Sequence, residues 1–331
     1  MAPSPDPGLA PAGPPDAAPD PAAWTALQGA AVALSLPSVG GVRLTGPDRV
    51  AFLQGNVSAD VAALGEGDAA TTLFLDPKGR PEAQASVHRR RDDLHLAVED
   101  DAAGFVLDRL HRQRIFDDVA FDDLRTVLRT WTVQGPTAAD VVAEAFGAHA
   151  PEGGTAQVPF ASADVLLVAH ARTAPGGVDV HALARDADAV EAALRAAGAA
   201  WGDAATLEAS RIEARRARAG REGLGVLPHE ADLDRYVSTT KGCYVGQETI
   251  ARLDARANVR RHLVRLRLDA PVGAGPLTLA LDGKRVGVVG GRAQHPDLGP
   301  VALAVLKDDA RDAPLEVRDG DGAVRTGARV G

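Results

Sequence analysis

The chain has 331 residues, and 36 lysines and arginines against 45 aspartates and glutamates leave a net charge of −9. That length holds roughly two domains of ordinary size, and a composition 45% hydrophobic and 24% charged is that of a soluble globular protein. Net acidity argues against a protein that coats nucleic-acid phosphates, one cysteine excludes an internal disulfide or a cysteine-ligated metal centre held by this chain alone, and no apolar run approaches the ~18 residues of a membrane span.

Residues 1–23 carry eight prolines among Ala, Asp and Gly, a composition expected to form a disordered tail. No Lys or Arg precedes Arg43, so no basic region of a secretory or transit signal is expected, and a reducing cytoplasm is the natural compartment. Val42 to Leu44 reads as a strand ending at Gly46-Pro47, and Val50, Leu53, Val57, Val61 and Leu64 then recur at helical spacing. Thr71 to Leu75 reads as a strand, and Asp76-Pro77-Lys78-Gly79 as a type I turn. Leu94, Leu96 and Val98 alternate as a strand, Phe105, Val106 and Leu110 mark a helix, and Val127 to Val133 return to period two. Helices are expected after Gly135-Pro136, over 187–197 and over 206–218, with a buried strand at 164–169. After Arg261 the texture changes to short alternating strands, with turn signals at Asp282-Gly283, Gly290-Gly291 and 319–322. The reading is a tail over 1–23, an α+β region over 24–257 and an antiparallel β-barrel over 258–331.

The informative stretch is Lys241-Gly242-Cys243-Tyr244-Val245-Gly246-Gln247-Glu248. Its glycines permit tight turns, and the run from Gln247 to Leu253 suits a helix. Cys243 would then sit before a helix N-terminus with Lys241 two residues away, and both features favour a reactive thiolate; a lone cysteine can equally be a small buried apolar group. Arg211, Arg215, Arg216, Arg218 and Arg221 form a basic cluster, read either as a site for a polyanion or as a solvated helix face. The histidines show no metal spacing: His88 and His95 are expected in strands with opposite facing. Gly287 to Gly291 lacks a following phosphate-binding Lys-Ser/Thr and reads as a hairpin turn.

The eight residues from Lys241 to Glu248 resemble the signature string of the YgfZ family, folate-binding relatives of the glycine-cleavage T protein. Arg211-Ile212-Glu213-Ala214 is similar to the family's Arg-x-Glu-Ala segment, and Leu227 to Glu230, Thr45 to Gly55 and Asp76 to Arg80 fit as well. The resemblance covers roughly residues 39–265. It implies a T protein-like folate-binding α+β fold with a C-terminal antiparallel barrel, and tetrahydrofolate as the ligand. Glu213 would accept two parallel hydrogen bonds from the pterin, or else pair with neighbouring arginines. Arg211, Tyr244 and Gln247 would help hold the ligand, and Cys243 would act as the functional thiol, with Lys241 lowering its pKa or contacting the folate.

The T protein places an aspartate in the strand after its glycine turn, where this chain has Ala83 or Gln84. Glu82 is adjacent, but one step along a strand points to the opposite face, so aminomethyl transfer is not expected. By resemblance the chain is an accessory protein supporting iron–sulfur cluster assembly or repair in client enzymes, affecting tRNA modification only through them. Its expected partners are those clients or the assembly proteins, with no direct nucleic acid and no membrane. The alternative is a folate-dependent one-carbon transferase.

Overall fold

A computed structural model describes residues 17–173, 176–256 and 259–331. Residues 1–16 of the expected tail, and 257–258 at the expected junction with the barrel, lie outside the described residues. The last three residues assigned to the tail, Pro21 to Ala23, instead open helix α1 (Pro21–Gly29), because Asp20 caps it through Ala23 N and Pro21 occupies the first turn. This helix buries Trp24 and Leu27.

The chain continues through β1 (Val32–Ser35), β2 (Gly40–Thr45), α2 (Arg49–Asn56), β3 (Ala69–Leu75), β4 (Pro81–Arg89), β5 (Leu94–Val98), α3 (Ala103–Gln113) and β6 (Ala120–Asp123). Strands in the order β3-β4-β5-β2-β6 form an antiparallel sheet. Phe52, Leu53, Val106 and Leu110 from α2 and α3 pack on it. The helical spacing expected out to Leu64 ends early. After Asn56 the chain turns, held by Gln54 Oε1, which accepts from Val61 N and Ala62 N at 2.7 and 3.1 Å. Val57 and Val61 still reach the same core from that loop.

Next come β7 (Leu128–Gln134), α4 (Ala138–Phe146), β8 (Thr155–Phe160), β9 (Ala163–Ala169), β10 (Gly177–Leu183), α5 (Ala187–Ala196), β11 (Ala200–Trp201) and α6 (Ala204–Glu213). A six-stranded sheet runs β11-β1-β7-β10-β9-β8, with α4 and α5 contributing Val142, Phe146, Val190 and Leu194 to its core. Asp203 caps α6 by accepting from Thr206 N at 2.7 Å. The helix stops at Glu213, five residues short of the expected end, and Arg215 takes a left-handed φ of 52°.

After α7 (Gln247–Arg256), strands β12 (Arg261–Leu268), β13 (Leu277–Leu281), β14 (Lys284–His295), β15 (Gly299–Lys307), β16 (Leu315–Arg318) and β17 (Val324–Val330) close a barrel in the order β12-β15-β14-β13-β16-β17. Strand β15 shows why its apolar run is continuous. Ala302, Ala304 and Leu306 face the barrel interior, whereas Val301, Leu303 and Val305 face a central core shared with Leu75, Ala209, Ile212 and Ile250. Gly290-Gly291 forms no turn: it lies inside β14 at a register shift between Val289 and Arg292. A Cβ on Gly291 would lie 2.0 Å from Arg211 Nη2 and 2.4 Å from Glu208 Oε1, so glycine there lets α6 press its charged face onto the barrel. No helix among the described residues is long and apolar enough to cross a membrane.

Candidate functional site

The loop from Lys241 to Gly246 is braced from three directions. Lys241 is 7% exposed, and its ammonium donates to the carbonyls of Gln54, Val57 and Ala59 at 2.6, 2.6 and 2.8 Å. All three of its N–H groups are therefore spent on backbone. Burial lowers its pKa to about 8, with Asp60 pulling weakly the other way. The expected roles of Lys241, activating the thiol or touching folate, are corrected by this geometry: it is an anchor, tying the loop to the end of α2. Tyr244 is buried, lies 4.8 Å below the ammonium, and donates its hydroxyl to Ser238 O at 3.3 Å. Gln247 Nε2 donates to Lys241 O at 3.4 Å, and Gln247 N to Tyr244 O at 3.2 Å. These two side chains shape the loop. Gly246, at φ +85°, nests against the turn at 76–79: a Cβ there would lie 2.6 Å from Asp76 O and 3.0 Å from Gly79 Cα. The turn itself forms as expected, with Gly79 N donating to Asp76 O at 2.9 Å. What the braced loop presents outward is Cys243, the single cysteine, and it is exposed.

Arg211 also differs from expectation. Its guanidinium is buried between Glu208 (2.6 and 2.8 Å) and Glu222 (3.1 Å to each oxygen), with Arg216 O at 2.5 Å. Those contacts leave it no fork for a ligand. Burial opposes the charge on Glu208, but Arg211 overrides it and holds the carboxyl at about 2. Glu222 Oε1 also accepts from Gly291 N of the barrel at 2.7 Å. Three of the five arginines, Arg211, Arg218 and Arg221, are thus neither a solvated face nor a free polyanion site, whereas Arg215 stays exposed. Arg218 pairs with Asp100 and lies 3.7 Å from Glu99, Arg221 lies 3.7 Å from Asp100, and Arg172 bridges Glu99 to Asp179.

Glu213, the expected pterin ligand, has a side chain 42% exposed and places Oε2 at 3.6 Å from His295 Nε2. His295 Nδ1 accepts from Asp297 N and Leu298 N, so in the neutral ring the proton sits on Nε2, facing Glu213. Trp24 packs edge-on against that ring at 4.8 Å. Three elements, α1, α6 and β14, therefore meet at His295.

A cavity of about 190 Å³ opens beside the ion-pair seam, lined among others by Glu82, Ala83, Gln84, Asp100, Phe105 and Gly220. Four acids line it, Glu82, Glu99, Asp100 and Asp101, and two of them bear on its chemistry. Strand pairing shifts register between Phe74 and Leu75, opposite Ala83 and Pro81, so Glu82 is the extra residue of a bulge. The bulge breaks strict alternation and brings Glu82 to the same cavity as Ala83 and Gln84, correcting the expectation that it turns away. Asp100 stands at a left-handed φ of 57°, with Oδ1 on Arg218 and Oδ2 buried without a hydrogen-bond partner. Burial raises the pKa of Asp100 against the pull of Arg218, and raises that of Glu82 against Arg109. No acid was expected here because strict alternation turned Glu82 away, and Asp100, which follows β5, was not weighed for this position. The signal available in the sequence was Asp100-Asp101 just after a strand. No group of three or more His, Cys, Asp or Glu among the described residues is placed to hold a metal ion.

A family model described as the GCVT N-terminal domain matches residues 24–241. A chloroplastic protein of Arabidopsis thaliana, provisionally named a transferase, is 28% identical over 81% of this chain, which spans 63% of that protein's length. The tRNA-modifying protein YgfZ of Edwardsiella ictaluri is 28% identical over 84% of this chain and 85% of its own. Aminomethyltransferase T of the glycine cleavage system from Bartonella henselae superposes with a TM-score of 0.78 over 93% of this chain and 87% of its own, at 19% identity, a likeness of fold.

Proposed function

The chain belongs to the family of the GCVT N-terminal domain, and from that premise we propose that it is a folate-binding accessory protein of the YgfZ kind, supporting iron–sulfur cluster assembly or repair in client enzymes. The observation that carries this reading is the exposed thiol of Cys243 on a loop whose Lys241, Tyr244, Gly246 and Gln247 are all committed to holding it in place. A rigid, accessible thiol suits transient contact with a client's sulfur or metal, whereas one cysteine cannot hold a cluster alone. Any effect on tRNA modification then passes through a client that needs its cluster. The test is Cys243→Ala: cluster-dependent activities should fall in cells while the melting temperature stays unchanged, and full complementation by the variant rejects the role.

The pterin of tetrahydrofolate would sit in the cavity beside the seam. Its pterin edge presents adjacent N–H donors, and Asp100 Oδ2 is a buried acceptor with none. The ligand would supply a one-carbon carrier at that place; Asp100 and Glu82 would orient it. Calorimetry with tetrahydrofolate should show binding weakened about tenfold or more by Asp100→Asn, the loss expected for a hydrogen bond to a charged group. Glu213→Ala separates the two positions: a larger loss there moves the pterin to the Trp24–His295 corner.

Aminomethyl transfer is the second reading, and the two acids with raised pKa at this cavity favour it. Methylene-tetrahydrofolate formed from an aminomethyl donor by the wild type but not by Asp100→Asn would establish it. Flat calorimetry combined with capture of clients would leave a pure interaction module.

A further inference from the structure

We propose that the cavity between the two sheets is a second binding site, independent of folate, for a small monocarboxylate with an apolar body. The cavity measures about 290 Å³ and draws its walls from both sheets, with His95 on one side and His181 on the other. His88 and His95 do not face opposite ways as their spacing suggested. They are cross-strand partners in β4 and β5, which places both rings on one face. There they meet His181 of β10 at centroid distances of 5.2 and 5.3 Å.

His95 and His181 are each 4% exposed, and Nε2 of each is buried without a hydrogen-bond partner. A Cβ built on Gly41 would lie 3.2 Å from His95 Nε2 and 3.3 Å from Leu128 Cδ1, so this nitrogen sits where Leu128 walls the cavity. Other polar groups on the wall already have partners. Arg43 holds Asp122 at 2.9 Å, Arg90 holds Asp93 at 2.6 and 2.8 Å, and Gln157 Nε2 donates to Asp164 at 2.6 Å. The two imidazoles are the unmet demand.

Each is backed by a hydroxyl able to donate. Thr130 Oγ1 lies 2.9 Å from His181 Nδ1. Ser86 Oγ lies 2.8 Å from His88 Nε2, whose Nδ1 lies 3.0 Å from His95 Nδ1. With both hydroxyls donating inward, His88 carries its proton on Nδ1 and donates it to His95, so the neutral rings of His95 and His181 carry theirs on Nε2, and two N–H groups without partners stand at the cavity wall. A carboxylate can accept one with each oxygen. Leu124, Leu128, Leu166 and Leu183 then cover the apolar remainder.

The probe is 4-fluorobenzoate, followed by fluorine NMR on the full chain. Saturable binding is expected, with the neutral 4-fluorobenzamide much weaker. His181→Asn, which keeps a polar group toward Thr130 but has no counterpart of Nε2, should weaken binding about tenfold or more. Leu128→Trp should abolish it by filling the space while leaving tetrahydrofolate titrations unchanged, and it decides the matter if His181→Asn does not fold. No saturable binding by the wild type, equal binding of the amide, or binding that survives Leu128→Trp overturns the proposal.

Discussion

Arg211 and Lys241 are both buried cations, and they are buried in opposite ways. Arg211 sits between two carboxylates, and although burial disfavours its charge, Glu208 and Glu222 raise its pKa above the ordinary arginine value. Lys241 donates its hydrogen bonds to neutral carbonyls and has no carboxylate in contact, so desolvation outweighs the pull of Asp60 and its pKa falls to about 8. The first arrangement locks a charge into the joint between α6 and the barrel. The second braces a loop with a group that can lose its proton. Partners, more than depth, decide whether a buried cation is fixed.

The sharpest way to break the contrast is Arg211→Met. It leaves Glu208 and Glu222 buried without their shared counter-ion, and should cost about 3–5 kcal/mol in urea unfolding. Lys241→Met should cost less, on the order of 2 kcal/mol, because it removes a desolvated charge along with the donors that satisfy three carbonyls. Equal losses would mean the carbonyl cage holds its cation as firmly as the carboxylates do.

Titration separates the two further. Glu208 is held at about 2 against an ordinary 4.5. Its share of stability is therefore present above pH 4.5 and lost as pH falls toward 2, where the native carboxyl takes up its proton. Lys241 acts on the alkaline side. The unfolded chain keeps the lysine proton up to about 10.5, whereas the native state releases it from about 8. Between those values the unfolded state binds more protons, so wild-type stability should rise relative to Lys241→Met. Urea midpoints of both proteins at pH 7.5 and pH 10 read this, and a gap that stays constant would place the Lys241 pKa near its ordinary value.

How much of this the sequence disclosed follows from the range of the interactions. The turn at 76–79 and the helix after Gly246 depend on neighbours a few residues away, and both were legible. Strand β15 was legible as barrel from its texture, but its second buried face depends on Ile212 and Ile250, far along the chain. Lys241 finds its carbonyls at 54–59, and Arg211 finds Glu222 across a loop. Proximity in sequence had suggested instead that Lys241 serves Cys243, and the family resemblance that Arg211 serves a ligand. Glu82 was misread for another reason: alternation fails at a bulge, and no residue at 81–83 marks one by itself. The structure gathers Lys241, Tyr244 and Gln247 around the Cys243 loop and holds Arg211 and Glu213 elsewhere on α6, and those contacts depend on partners that the motif itself does not contain.

The smallest expected effect bears most directly on the loop. Cys243 is exposed, so Cys243→Ala should change stability by no more than about 0.5 kcal/mol. Gly246→Ala is the informative partner variant. Its φ of +85° is costly for any side chain, and the added Cβ would press on Asp76 O. That substitution should cost about 1–3 kcal/mol and displace the loop without touching the thiol. If loss of client activity follows Cys243→Ala with stability intact, the sulfur itself is used. If only Gly246→Ala impairs the clients, the surface of the braced loop is what they read, and its cysteine is a bystander.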